Sequence, residues 1–233
     1  MKAIIMALCL LTPISSSVAA LISIGDMYDF MPSDKNTFEK SVNNNGDNTA
    51  FVRVNVVEMI YDANGKSHEQ ALDSDNQENE LVVSPNRMVI AAGEQQISRI
   101  VYSGNRDRER YYRLRYMPTE RNDSDHGQPA AIQISTSIKV LAGLGSIIIV
   151  RPGQEHYSTY VTKNGYQYEV RNDGNSTVVI ENMQSCDAAY RECAEPETTY
   201  VRPGSSKTLP LTIGNHYRYT LVEGTTKKLV HIE

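Results

Sequence analysis

The sequence predicts an all-β protein of two β-sandwiches joined near residue 152. Three observations carry that prediction. Short runs rich in Val, Ile, Thr and Tyr are separated by clusters of Gly, Pro, Asn and Asp, the pattern of strands and turns. No segment repeats its apolar residues at helical spacing over a useful length. A long apolar strand pattern is stopped by Arg151-Pro152-Gly153, which reads as a boundary between two sets of strands.

The first 20 residues read as an export signal. Lys2 supplies a positive start, Ala3 to Leu11 an apolar stretch too short to span a bilayer, and Ser15 to Ala20 a small-residue cleavage site. Cleavage before Leu21 removes one lysine and leaves 22 basic against 28 acidic side chains, a net charge of −6. That balance argues against general binding to nucleic acid or anionic membranes. No later apolar run reaches the roughly 18 residues that a membrane helix needs. The expected division is a signal peptide at 1–20, a first domain at 21–151 and a second at 152–233.

Along the chain, Ala50 to Ile60 places Val52, Val54 and Val56 on one face and Arg53 and Asn55 on the other, a half-buried strand. Asn64-Gly65 is a hairpin signal, and His68 to Glu80 reads as a solvated acidic loop without the spacing of a calcium site. Apolar character resumes at Leu81 to Ser84 before a turn at Pro85-Asn86; Met88 to Ala91, Ile97 to Tyr102 and Tyr111 to Met117 read as strands, with Arg106 to Arg110 a charged loop and Thr119 to Pro129 another. Ala131 to Val150 reads as one long strand. Ile132, Ile134, Ile138, Val140 and Leu144 share a parity, and the run turns wholly apolar from Ile147. A second set follows at Tyr157 to Val161, Tyr166 to Asn172, Val178 to Met183, Thr199 to Val201, Lys207 to Thr212, His216 to Leu221 and Lys228 to Ile232, with a turn at Asn172 to Asn175.

Catalysis finds no support. The five histidines are scattered, and no nucleophile elbow, phosphate loop or dinucleotide fingerprint is present. Cys186 and Cys193 are close enough for a local disulfide in an oxidising compartment and lack the further ligands a metal site requires, so neither metal nor cofactor is expected. Arg106 to Arg115, the densest basic cluster, reads as a strand edge with ion pairs inside its sheet. The Ile/Val row of Ala131 to Val150 is the stronger functional hint. Either the domain's own second sheet covers it, or part of it is an edge that pairs with another chain.

In order and spacing, SPNRMVIAAGEQQISRIVYSG, YYRLRYMP and GSIIIVRP resemble the periplasmic chaperones of the chaperone–usher pilus family. The opening SIGDMYDFMPSDKNTFEKSVNNNGD, with RERYYR and the cysteine loop, looks most like the chaperones of the enterobacterial common pilus. The resemblance implies two immunoglobulin-like sandwiches in an L-shaped arrangement in the periplasm. It also implies capture of pilin subunits by donor-strand complementation and their delivery to an outer-membrane usher. It places Ile132, Ile134, Ile138, Val140 and Leu144 on the donor strand, and Arg99 and Arg115 in structural roles, Arg99 within an ion network between the domains. The family anchors the subunit's terminal carboxylate with an Arg on its first strand and a Lys on the donor strand. Here Leu21 to Met31 holds no cation and the Lys position is Ile147, so Lys40, Arg113 and Lys139 are substitutes by chemistry only. A secreted β-sandwich adhesin or carbohydrate-binding protein is the alternative.

Overall fold

Strands and turns account for the described residues, and no helix is among them. The computed structural model describes residues 21–62, 65–72, 81–119, 142–210 and 215–232. The signal segment, the acidic run at 73–80, and Ile132, Ile134, Ile138, Lys139 and Val140 lie outside them.

The first ten strands are β1 (Ile22–Ser23), β2 (Tyr28–Met31), β3 (Thr37–Asn44), β4 (Ala50–Tyr61), β5 (Ser67–Ala71), β6 (Leu81–Ser84), β7 (Arg87–Ile90), β8 (Gln95–Tyr102), β9 (Arg110–Thr119) and β10 (Leu144–Val150). They form a four-stranded sheet, β1-β3-β8-β6, and a six-stranded sheet, β2-β10-β9-β4-β5 with β7 also on β4. Alternation decides what lies between the two. Val52 and Val54, Ile100 and Tyr102, Tyr112, Leu114 and Tyr116, and Ile148 and Val150 point inward and make one core. Tyrosine supplies its bulk, three of the four largest sealed side chains being Tyr102, Tyr112 and Tyr116.

The remaining strands are β11 (Thr159–Asn164), β12 (Gln167–Asn172), β13 (Val178–Asp187), β14 (Glu197–Val201), β15 (Ser206–Pro210), β16 (Asn215–Glu223) and β17 (Thr226–Ile232). Sheets β11-β12-β15 and β14-β13-β16-β17 enclose a second, separate core around Tyr168, Val170, Ile180, Tyr219 and Leu221.

One corner is built twice. Val42-x-Asn44-x-Gly46-x-x-Thr49 and Val170-x-Asn172-x-Gly174-x-x-Thr177 open β4 and β13 with the same spacing. Each asparagine is sealed from solvent. Each accepts from the glycine amide two residues on through its side-chain oxygen, at 3.1 and 2.9 Å. Its side-chain nitrogen donates to the carbonyl four residues on, Asn48 or Ser176, and to a neighbouring strand, Ile90 or Val201. Its backbone closes onto a second turn, Gly93-Glu94 in one sandwich and Gly204-Ser205 in the other. A buried amide that satisfies donors and acceptors at once fixes the corner.

Three expectations differ from the structure. The stretch from His68, read as loop, begins within β5, an outer strand whose five residues are all exposed. Leu21 to Met31 is not one strand, because the chain crosses from the first sheet to the second between β1 and β2, turning at Gly25 with φ of +69°. Glu109 and Arg110, assigned to a charged loop, are buried.

Candidate functional site

β10 is the strand on which the site is built. Its apolar run takes the place between β9 and β2 because both of its faces are covered there. The antiparallel pairing with β9 runs the full length, from Leu144 opposite Tyr116 to Val150 opposite Arg110. The parallel pairing with β2 is shorter, running only from Ile147 opposite Tyr28 to Val150 opposite Met31. The Ile147 amide donates to the Met27 carbonyl at 2.7 Å, where the chain arrives from the other sheet. Upstream of that bond, Leu144 to Ser146 is paired on the β9 side alone among the described residues. A strand edge opens upstream of the point where β2 begins.

The two faces of this stretch differ. Leu144 is half-buried and packs against the first core, and Ser146 lies beneath it. On the outer face positions 143 and 145 are glycine. A Cβ at Gly143 would meet the Met117 sulfur at 2.5 Å, whereas at Gly145 the nearest atom is 3.8 Å away.

The charged residues singled out from the sequence are dispersed. Lys40 is 4% exposed; its Nζ crosses from β3 to donate to Asp29 Oδ2 and to the Asp26 carbonyl, both at 2.6 Å. Burial raises the Asp29 carboxyl above its ordinary value, with the Lys40 hydrogen bond acting against it. Arg113 and Arg115 are brought together on the outer face of β9, both donating to Oε1 of Glu69 at 2.5 Å. Arg99 pairs with Glu39 on the solvent face of the four-stranded sheet, and among the described residues it takes no part in the link between the sandwiches, which corrects the expectation for it.

That link uses residues the sequence reading missed. Arg151 donates to Glu109 Oε2 at 2.9 Å and to the Thr177 carbonyl at 2.6 Å, and its guanidinium lies 4.2 Å from the Phe30 ring centre. Glu109 also accepts from the Thr177 amide and hydroxyl and from Tyr111. In the sequence Arg151 stands as punctuation before Pro152, and Glu109 is hidden in a run of mixed charge. Tyr28 stacks on Tyr200 at 3.9 Å, and Arg202 covers Tyr61 at 3.5 Å. The groove beside Tyr28 and Tyr200 is lined by Asp26, Phe30, Glu181 and Asn182, so it is acidic and aromatic.

Cys186 and Cys193 form a disulfide, and within its loop Tyr190 packs edge-on against His216 and His231. Among the described residues no group of three or more metal-ligating side chains occurs, and no helix is long and apolar enough to cross a membrane.

Known proteins resemble this chain in sequence and in fold. The chain is 28% identical to the probable fimbrial chaperone EcpE of Escherichia coli K12 over 219 residues, covering 93% of this chain and 86% of that one. It is 28% identical over 194 residues to the probable fimbrial chaperone EcpB of E. coli O139:H28, covering 82% of each. Among solved structures, the class 5 fimbriae chaperone CfaA superposes with a TM-score of 0.59 at 16% identity, over 91% of this chain and 99% of that one. The Salmonella enterica SafA pilin–SafB chaperone complex gives 0.58 at 16% identity, over 93% and 97%. Residues 27–143 match the model of the pili and flagellar-assembly chaperones, PapD N-terminal domain, and the chain belongs to that family.

Proposed function

We propose that this chain is a periplasmic pilus-assembly chaperone that captures pilin subunits on the free edge of β10 and hands them to an outer-membrane usher. The observation that carries the reading is the late start of β2, at Tyr28 opposite Ile147, which leaves β10 upstream of Ile147 paired on the β9 side alone among the described residues. An edge of this kind offers main-chain donors and acceptors at fixed spacing, and alternate side chains select what fits between them. The two cores support domains at 21–151 and 152–233. The protein acts by binding, without catalysis.

The donor residues in this reading are Ile132, Ile134, Ile138 and Val140, with Leu144 at the point where the strand enters its own core. For the subunit's carboxylate, Arg113 is the better candidate: it stands on the outer face with its side chain partly exposed, whereas Lys40 is enclosed.

The test is co-purification from periplasm of wild type and an Ile138→Glu, Val140→Glu double variant. Leu144 is left intact because it packs on the core. Wild type should bring down a small β-rich subunit at 1:1, and the variant should bring down none while keeping its thermal midpoint. Full capture by the folded variant would refute the donor assignment.

A further inference from the structure

The methionines of this chain divide sharply by place. Of the eight, Met1 and Met6 fall in the signal segment. Met31, Met59, Met88 and Met183 are sealed, at 0%, 3%, 2% and 4% exposure. Met27 and Met117 are the exposed pair, at 61% and 40%. They come from different parts of the chain, yet both border the open stretch of β10.

Met117 lies on β9 with the outward parity of Arg113 and Arg115, one residue past Tyr116, which faces Leu144. Its thioether lies over Gly143: a Cβ there would stand 2.5 Å from the sulfur and 3.2 Å from the terminal methyl. The glycine leaves the sulfur the room that a side chain would fill, so Met117 covers the chain just upstream of Leu144. Met27 borders the other end. Its carbonyl accepts the Ile147 amide at 2.7 Å, at the point where pairing on that side begins. Met27 also lines the groove shared with Tyr28 and Tyr200.

A chain seated on Leu144 to Ser146 therefore has an exposed methionine at each end. A thioether suits that position, because it is apolar, polarisable and unbranched and adapts to partners of different shape. It is also a side chain whose character an oxidant reverses. Hydrogen peroxide transfers one oxygen atom to the sulfur: a sulfur lone pair forms the S–O bond, the O–O bond breaks, and the second oxygen leaves as water. The sulfur is oxidised by two electrons, the peroxide is reduced by two, and the side chain becomes a polar, chiral sulfoxide.

We propose that Met27 and Met117 are modification sites at which peroxide oxidation switches off capture on β10. This rests on the edge-capture reading above and adds a control to it. Each sulfoxide oxygen is a strong acceptor that holds water, and an apolar side chain seated against it strips that water without returning a hydrogen bond. At Gly143 the sulfur already fills the space over the backbone, so the added oxygen displaces either the thioether or the strand beneath it. Burial spares the four sealed methionines, so the fold outlasts the oxidation that stops capture.

The mature protein is treated with hydrogen peroxide and digested, and the added oxygen is located by mass spectrometry. Met27 and Met117 should gain it well before the four sealed methionines. Binding is read with the peptide acetyl-Val-Thr-Val-Thr-Val-Thr-amide, titrated into isotope-labelled protein while the amides of Leu144, Gly145 and Ser146 are followed. Oxidation should weaken the peptide by about fivefold or more, the effect of burying an unpaired polar group, with the thermal midpoint unchanged. A Met27→Leu, Met117→Leu double variant should hold its own affinity through the same treatment. The proposal is overturned if the sealed methionines are oxidised as quickly, or if oxidised wild type binds the peptide as before. It is also overturned if the double variant loses as much affinity on treatment as wild type does. In each of these cases amides that respond in untreated protein show that edge capture stands without the switch. If those amides respond to the peptide in no form of the protein, both readings fall.

Discussion

Lys40 and Arg99 show how little a residue type says about its place. Both belong to strands of the four-stranded sheet, in adjacent positions of the same ladder, yet one parity sends Lys40 inside to Asp29 and the other sends Arg99 to solvent. The tyrosines follow the same rule and give a prediction. Burial pushes the Tyr219 phenol up to about 12 and raises Tyr112 and Tyr116 as well. An unfolded phenol releases its proton near 10. Between about pH 10 and 12 the unfolded chain therefore binds fewer protons than the folded one, and stability falls as pH rises. Urea unfolding at a series of alkaline pH values should show this loss, and Tyr219→Phe should flatten its slope. An unchanged slope would remove Tyr219 as a cause.

The duplicated corner is the clearest case at the scale of an element. Asn172→Ala removes three satisfied contacts within a sealed turn and should cost about 1–3 kcal/mol in urea unfolding. Gly174→Ala should cost a similar amount, about 1–3 kcal/mol, because its Cβ would lie 2.3 Å from the His156 carbonyl oxygen, which is backbone and cannot rotate away. Loss well under 1 kcal/mol in both variants would show that the corner relaxes freely. Strands with clean alternation, such as β4, β8 and β9, were legible from the sequence, and their observed ends lie within a few residues of the expected ones. β3 was not foreseen, because its inward positions include Lys40 and Asn44, whose polarity breaks the apolar pattern. β5 was read as part of a loop because nothing in Ser67 to Ala71 is buried: it is held by ladder bonds to β4, which leave no mark in the side chains.

For the whole molecule, the charged contact between the sandwiches matters most. Glu109 is almost fully enclosed and serves Arg151, Thr177 and Tyr111 together. Glu109→Ala leaves the Arg151 charge buried without its carboxylate and should destabilise by about 3–5 kcal/mol, measured by urea unfolding. A loss under 1 kcal/mol would mean that solvent reaches Arg151 once the carboxylate is gone. The contact also bears on the proposed capture, since it places the acidic, aromatic groove at Tyr28 and Tyr200 just past the point where β10 loses its second neighbour.

The sequence by itself determined that the chain is all-β with two sandwiches, that Cys186 and Cys193 pair, and that it resembles a pilus-chaperone family. Each of these rests on local information: alternation, turn residues, short spacing and motif order. Only the tertiary structure decided which charges meet. Glu69 and Arg115 are 46 residues apart, and Glu109 and Thr177 are 68 apart. No periodicity reports a contact at such separation. The free edge of β10 has the same origin, for it depends on where β2 joins its sheet, a crossing set by packing between two sheets and not by the apolar pattern of either strand.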